Sequence, residues 1–122
     1  MISRRPHACF LVLALAAVAG VSPTPAFAIK QFADEFKAVY VKEGTPLAAA
    51  VDTAKCNVCH AGKSKKDRNA YGEALAERLD KETDKKDVAK IRAVLEEVAK
   101  LPSKVDGKTF GDLIAAGKLP AE

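Results

Sequence analysis

The side chains best equipped for chemistry lie in one run of five, Cys56-Asn57-Val58-Cys59-His60. Two thiols separated by two residues span about one helical turn, and an imidazole follows the second at once. That spacing can serve a redox dithiol, part of a zinc site, or the covalent attachment of a c-type haem, in which each thiol forms a thioether with one vinyl group and the histidine lies under the iron. The remaining inventory separates these readings. A structural zinc site needs four ligands, and the only other cysteine and histidine are Cys9 and His7, both in a segment with the marks of a removable leader. A thioredoxin-like dithiol wants a βαβ context, whereas alternating β-branched runs are almost lacking here. The expected chemistry is therefore one haem c per chain, with Cys56, Cys59 and His60 binding the cofactor and His60 the iron ligand.

The amino terminus has the pattern of an export signal. Arg4 and Arg5 form a positive start, Ala8 to Val21 is apolar but too short to span a bilayer comfortably, and Ala26-Phe27-Ala28 is a small-x-small cleavage site. Residues 1–28 are read as a signal peptide and 29–122 as a single haem-binding domain beginning near Ile29. Export to the periplasm or its equivalent agrees with the motif, because c-type haem is attached outside the energy-transducing membrane. Membrane association is not expected, and an uncleaved N-terminal anchor is the alternative.

Without residues 1–28 the 122-residue chain is 94 residues long, a length at which an unaided hydrophobic core is thin. There is no tryptophan, and a covalently held porphyrin would supply the large apolar body that the side chains lack. The formal charge of +4 falls to +2 once Arg4 and Arg5 are gone, and this small excess gives no support for nucleic-acid binding. The run Lys63-Ser64-Lys65-Lys66-Asp67-Arg68 either docks acidic redox partners or is a solvated loop.

The elements that must position the motif read as helices throughout. Phe32, Phe36 and Tyr40 recur every four residues on a first helix from about Lys30 to Lys42, ended by Gly44. Thr45 and Pro46 form an N-cap and first-turn pair, and Leu47 to Lys55 then delivers Cys56. After the loop from Ala61 to Arg68, Asn69 caps a short helix with a Tyr71, Leu75, Leu79 stripe. Asp84 opens the longest helix, with Val88, Ile91, Leu95 and Val98 facing the core, and Pro102 closes it. Thr109 and Asp112 resemble a capping box that opens a last helix through Phe110, Leu113 and Ile114, stopping at Gly117 with Pro120 beyond. Tyr40 and Tyr71 are expected in the core with their hydroxyls at the rim.

With Cys56-Asn57-Val58-Cys59-His60 reached from a helix, an early aromatic helix and a closing segment with Phe110 and Gly111, the chain resembles the small monohaem cytochromes c. The resemblance implies an all-α fold of about four to five short helices around one haem, thioethers at Cys56 and Cys59, and His60 as proximal ligand. It implies an electron carrier cycling Fe(III)/Fe(II), not an enzyme, with redox proteins as partners. The usual distal methionine is missing, since Met1 is the only methionine and His7 the only other histidine. Four substitutes stay open: water or an empty position, a lysine among Lys63, Lys65 and Lys66, Asn69 or a tyrosine, and the α-amino group of Ile29. An open distal site would instead suit a haem protein binding NO, CO or peroxide, as a sensor or weak enzyme. Oligomeric state is not legible.

Overall fold

The computed structural model describes residues 27–121, so the signal-peptide reading of residues 1–28 lies outside the described residues except for its last two. Five α-helices follow one another: α1 (Phe27–Tyr40), α2 (Pro46–Ala54), α3 (Ala70–Ala76), α4 (Val88–Ala99) and α5 (Phe110–Ala115). A 3-10 turn, Lys55–Val58, continues α2. The described residues form no sheet and contain two isolated bridges, His60 with Arg68 and Pro102 with Thr109. The expected all-α class is observed. No helix among the described residues is long and apolar enough to cross a membrane.

Helix α4 is the hub, packed on α1, α3 and α5. Its Ile91, Val94, Leu95 and Val98 are buried, the three- and four-residue spacing of an inward stripe. Each such side chain stabilises the fold by about 1.5–3 kcal/mol relative to exposure. Three expectations for this helix are corrected. It starts at Val88 with Asp87 as N-cap, whose side chain accepts from Lys90 N at 2.9 Å. Asp84 lies before it, nearly buried and paired with Lys90 Nζ at 2.7 Å. Val88 itself is exposed, because a residue in the first turn projects beyond the packed stripe, and Val94 takes the inward place. At 12 residues α4 is also shorter than α1, which has 14.

The other helices start where side-chain chemistry dictates. Thr45, Asn69 and Thr109 each accept a hydrogen bond from the backbone N–H three residues on, relieving orphan donors of the first turn. Thr109 and Asp112 form the complete reciprocal box. Helix α1 ends at Tyr40, two residues before the expected Lys42, and Gly44 takes the left-handed turn that follows at φ 77°. Tyr40 reaches across to donate its hydroxyl to the Leu95 carbonyl at 2.9 Å. Nearby, Glu35 is buried yet joined to Arg92 Nε at 2.7 Å and Gln31 Nε2 at 3.1 Å, so its charge is not left unpaired.

An aromatic relay occupies the centre: Phe36 packs on Tyr71 and Tyr71 on Phe110, with ring centroids 5.8 and 5.3 Å apart in edge-on geometry. Tyr71 has no exposed surface. Its hydroxyl is therefore inside rather than at the rim, contrary to the sequence expectation, since the ring is sandwiched between α1 and α5.

Candidate cofactor-attachment site

The five-residue motif sits where α2 is forced to stop. Lys55 adopts φ 52°, the only non-glycine positive φ among the described residues, a conformation that is strained for a side-chain-bearing residue and concentrates at functional sites. The chain then tightens into the 3-10 turn. The Cys56 carbonyl accepts from both Cys59 N at 3.3 Å and His60 N at 3.1 Å, folding the motif over itself. Buried Val58 anchors this turn in the core, so the two thiols differ: Cys56 is exposed, whereas Cys59 is half-buried against the core cluster.

That difference bears on the chemistry. Burial, with Cys56 alongside, pushes the Cys59 thiol up to about 12. A reactive thiol acts as the thiolate; burial sets Cys59 against that form, and Cys56 is the exposed sulfur of the pair. Nor do three His, Cys, Asp or Glu side chains converge as a metal-holding group among the described residues. The neighbourhood of Cys56, Cys59 and His60 thus lacks the further protein ligands that a structural zinc site requires.

His60 is oriented by backbone. Its Nδ1 lies 3.2 Å from the Asp67 carbonyl oxygen, an acceptor only, so the proton belongs on Nδ1 and the lone pair on Nε2. Metal-binding imidazoles are held in this way, one ring nitrogen donating to a carbonyl while the other faces the metal. The Asp67 carbonyl is fixed in turn by Ala61 N at 2.9 Å, and Asp67 N donates to Ser64 O at 3.2 Å. Gly62, at φ 66°, allows the loop to reverse.

Asn69 closes the unit. Its Nδ2 donates to Asn57 O at 3.1 Å and Val58 O at 3.0 Å, and its Oδ1 accepts from Gly72 N at 2.9 Å. Its backbone N–H donates to Cys59 O at 3.1 Å. Asn69 is thus both the expected helix cap and an unanticipated clasp on the motif. Its amide is engaged at both ends, and the Tyr40 hydroxyl is likewise engaged with Leu95 O. Gly72 completes the fit, because a Cβ there would fall 1.9 Å from the Cys59 carbonyl oxygen.

Sequence reasoning placed Cys56, Cys59 and His60 together and the structure keeps them in one turn. It missed the Asp67 carbonyl, which has no side-chain signature, and the double role of Asn69. A glycine inside a helical pattern is the signal that could have revealed the close approach at Gly72. Lys55, Lys63, Lys65, Lys66 and Arg68 are all exposed around the motif and form no ion pair among the described residues. Compared with family models, curated proteins and solved structures, the chain matches none.

Proposed function

We propose that this chain is an exported monohaem c-type cytochrome that carries electrons, with Cys56 and Cys59 as thioether donors and His60 as the proximal iron ligand. The observation that carries the reading is His60: directly after two free cysteines in one turn, its imidazole is held through Nδ1 by a backbone carbonyl so that Nε2 bears the lone pair. The donor set fits a haem: each thiol can add across a vinyl double bond, its S–H hydrogen passing to the second carbon, with no oxidant consumed. When bound, the haem supplies the Fe(III)/Fe(II) couple.

The protein's part is to attach, orient and insulate. Hydrogen bonding of Nδ1 to Asp67 makes the imidazole a stronger donor and fixes its plane. The exposed cations around the motif suit an acidic redox partner, whose encounter would be steered and salt-sensitive. Residues 1–28 serve export to the periplasm in this reading, and no catalytic role is assigned.

A second reading is favoured by one observation, that no methionine or further histidine lies within residues 29–122 while Asn69 and Tyr40 are engaged elsewhere. An open sixth position would make the protein a binder of NO, CO or peroxide. Oxidised, reduced and CO-treated visible spectra of protein exported from a haem-attaching host decide between them. A covalent haem mass and a low-spin reduced spectrum unmoved by CO are expected for the carrier; ready CO uptake by high-spin iron would establish the second reading. Colourless protein with no added mass would refute both.

A further inference from the structure

A cavity of about 200 Å³ lies between α5 and the loop that leads into it, with no residue of the attachment turn in its walls. It is lined by Val105, Lys108, Leu113, Ala116 and Lys118. Leu113 is buried and forms the floor, whereas Val105 is one of two large apolar side chains left exposed among the described residues. An apolar cavity of about 150 Å³ has room for a benzene ring, so this one is large enough for a compact organic molecule.

Val105 is held at the cavity by its backbone. Ser103 N donates to Lys108 O at 2.8 Å and Lys108 N to Val105 O at 3.0 Å, while Ser103 Oγ donates to Lys108 O at 2.8 Å and accepts from Val105 N at 3.1 Å. The Pro102–Thr109 bridge closes the loop at its base. These bonds fix the tip of the loop, so the exposed valine is a standing part of the wall. Pockets for small molecules join such apolar walls to a few placed polar groups.

The polar groups here are both cations. Lys108 and Lys118 are exposed, and neither forms an ion pair among the described residues. Asp112, beside Leu113 in α5, commits its carboxylate to Thr109 N–H at 2.8 Å, and the Lys108 charge reaches it without pairing with it. Lysine stems cover apolar surface while their ammonium heads stay in water. The cavity is therefore apolar within and cationic at its mouth.

We infer that this cavity binds a small organic carboxylate, its apolar body of about six to eight carbons seated on Val105, Leu113 and Ala116 and its charge met by Lys108 and Lys118. A bare inorganic anion would leave the apolar walls wet, and a neutral molecule of the same shape would leave the ammonium groups unused. The site is independent of the haem reading.

The test titrates the full exported chain with benzoate, with benzyl alcohol and inorganic phosphate as separate probes, and follows the methyl resonances of Val105, Leu113 and Ala116. Benzoate should shift these resonances saturably, and benzyl alcohol and phosphate should each bind at least about fivefold more weakly. Lys108→Gln and Lys118→Gln should each weaken benzoate about fivefold, whereas Lys100→Gln should leave it unchanged. Ala116→Leu, which fills the cavity from an exposed position, should abolish the shifts. The two glutamine variants alter exposed side chains only and decide the matter even if Ala116→Leu proves unstable. Benzoate shifts that miss these three methyls, equal binding of benzyl alcohol or phosphate, or wild-type affinity in both glutamine variants would overturn the site.

Discussion

Replacing Gly72 by alanine pits local propensity against the attachment turn. In an ordinary helix the substitution stabilises by about 0.8–1.0 kcal/mol. Here the new methyl would lie 1.9 Å from the Cys59 carbonyl oxygen and 2.8 Å from its carbon, against a floor of 3.0 Å, so α3 and the turn must part by roughly 1 Å. Neither side can yield cheaply, since the obstacle is backbone. The Asn69 N–H to Cys59 O bond, 3.1 Å long, would stretch beyond hydrogen-bonding reach, a loss of about 1 kcal/mol. Overpacking strain adds about 1–3 kcal/mol, leaving a net loss of about 1–3 kcal/mol after the propensity gain. In a domain of this size each 1 kcal/mol moves Tm by about 4–8 °C. Thermal and urea unfolding of Gly72→Ala should therefore show a clear fall in midpoint, whereas Gly62→Ala, with no atom within 4 Å of its Cβ but φ 66°, should show only the smaller cost of its left-handed backbone. A Gly72→Ala variant as stable as wild type, or more so, would refute the close approach of α3 to Cys59.

Asn69→Ala removes the cap and both clasping bonds and should cost about 2–3 kcal/mol in urea unfolding, whereas Asn69→Ser keeps the cap and should cost about half as much; equal losses would show that the clasp contributes nothing. The Asp84 carboxyl is held below its ordinary value by Lys90 first and the Asp80 N–H second, so its contribution is present above the unfolded carboxylate value and lost as pH falls through the lowered folded one. Unfolding midpoints measured from pH 7 down to pH 2 should accordingly fall less steeply in Asp84→Asn, and parallel acid limbs would contradict this. Ferric holoprotein should lack the near-infrared band of methionine ligation, and if an amine is the sixth ligand, raising pH should favour a low-spin form by removing the competing proton; replacing Lys63, Lys65 and Lys66 singly would identify which amine matters.

What could be read from the sequence was what local chemistry decides. Thr45, Asn69 and Thr109 announce helix starts because each carries a side-chain oxygen able to satisfy a first-turn N–H, and the periodicity of Ile91, Leu95 and Val98 marks an inward face. The cap of α4 was misread because Asp84 and Asp87 are chemically alike; only the fold directs Asp84 to Lys90 and the Asp80 N–H and leaves Asp87 at the helix start. Val88 was misread because periodicity continues to the end of a helix while the packing partner does not. The contacts that orient the motif join its residues to the backbone of Asp67, to Asn69 and to Gly72. Such contacts depend on where a loop returns, which residue types do not encode.

Residues 56–72 consequently behave as one device rather than a motif followed by a loop. The Cys56 carbonyl curls the turn, Asn69 pins it, and the Asp67 carbonyl accepts the hydrogen bond from the His60 Nδ1–H, so the ring is positioned by uncharged backbone. Cys59 is half-buried against the core cluster, its thiol pushed up by burial, and its carbonyl is held between Asn69 N–H and the bare Cα of Gly72. A sulfur fixed in that way suits a permanent bond formed once. On the proposed reading, the exposed sulfur of Cys56 and the cations beside it make this side of the turn the face an acidic partner would approach.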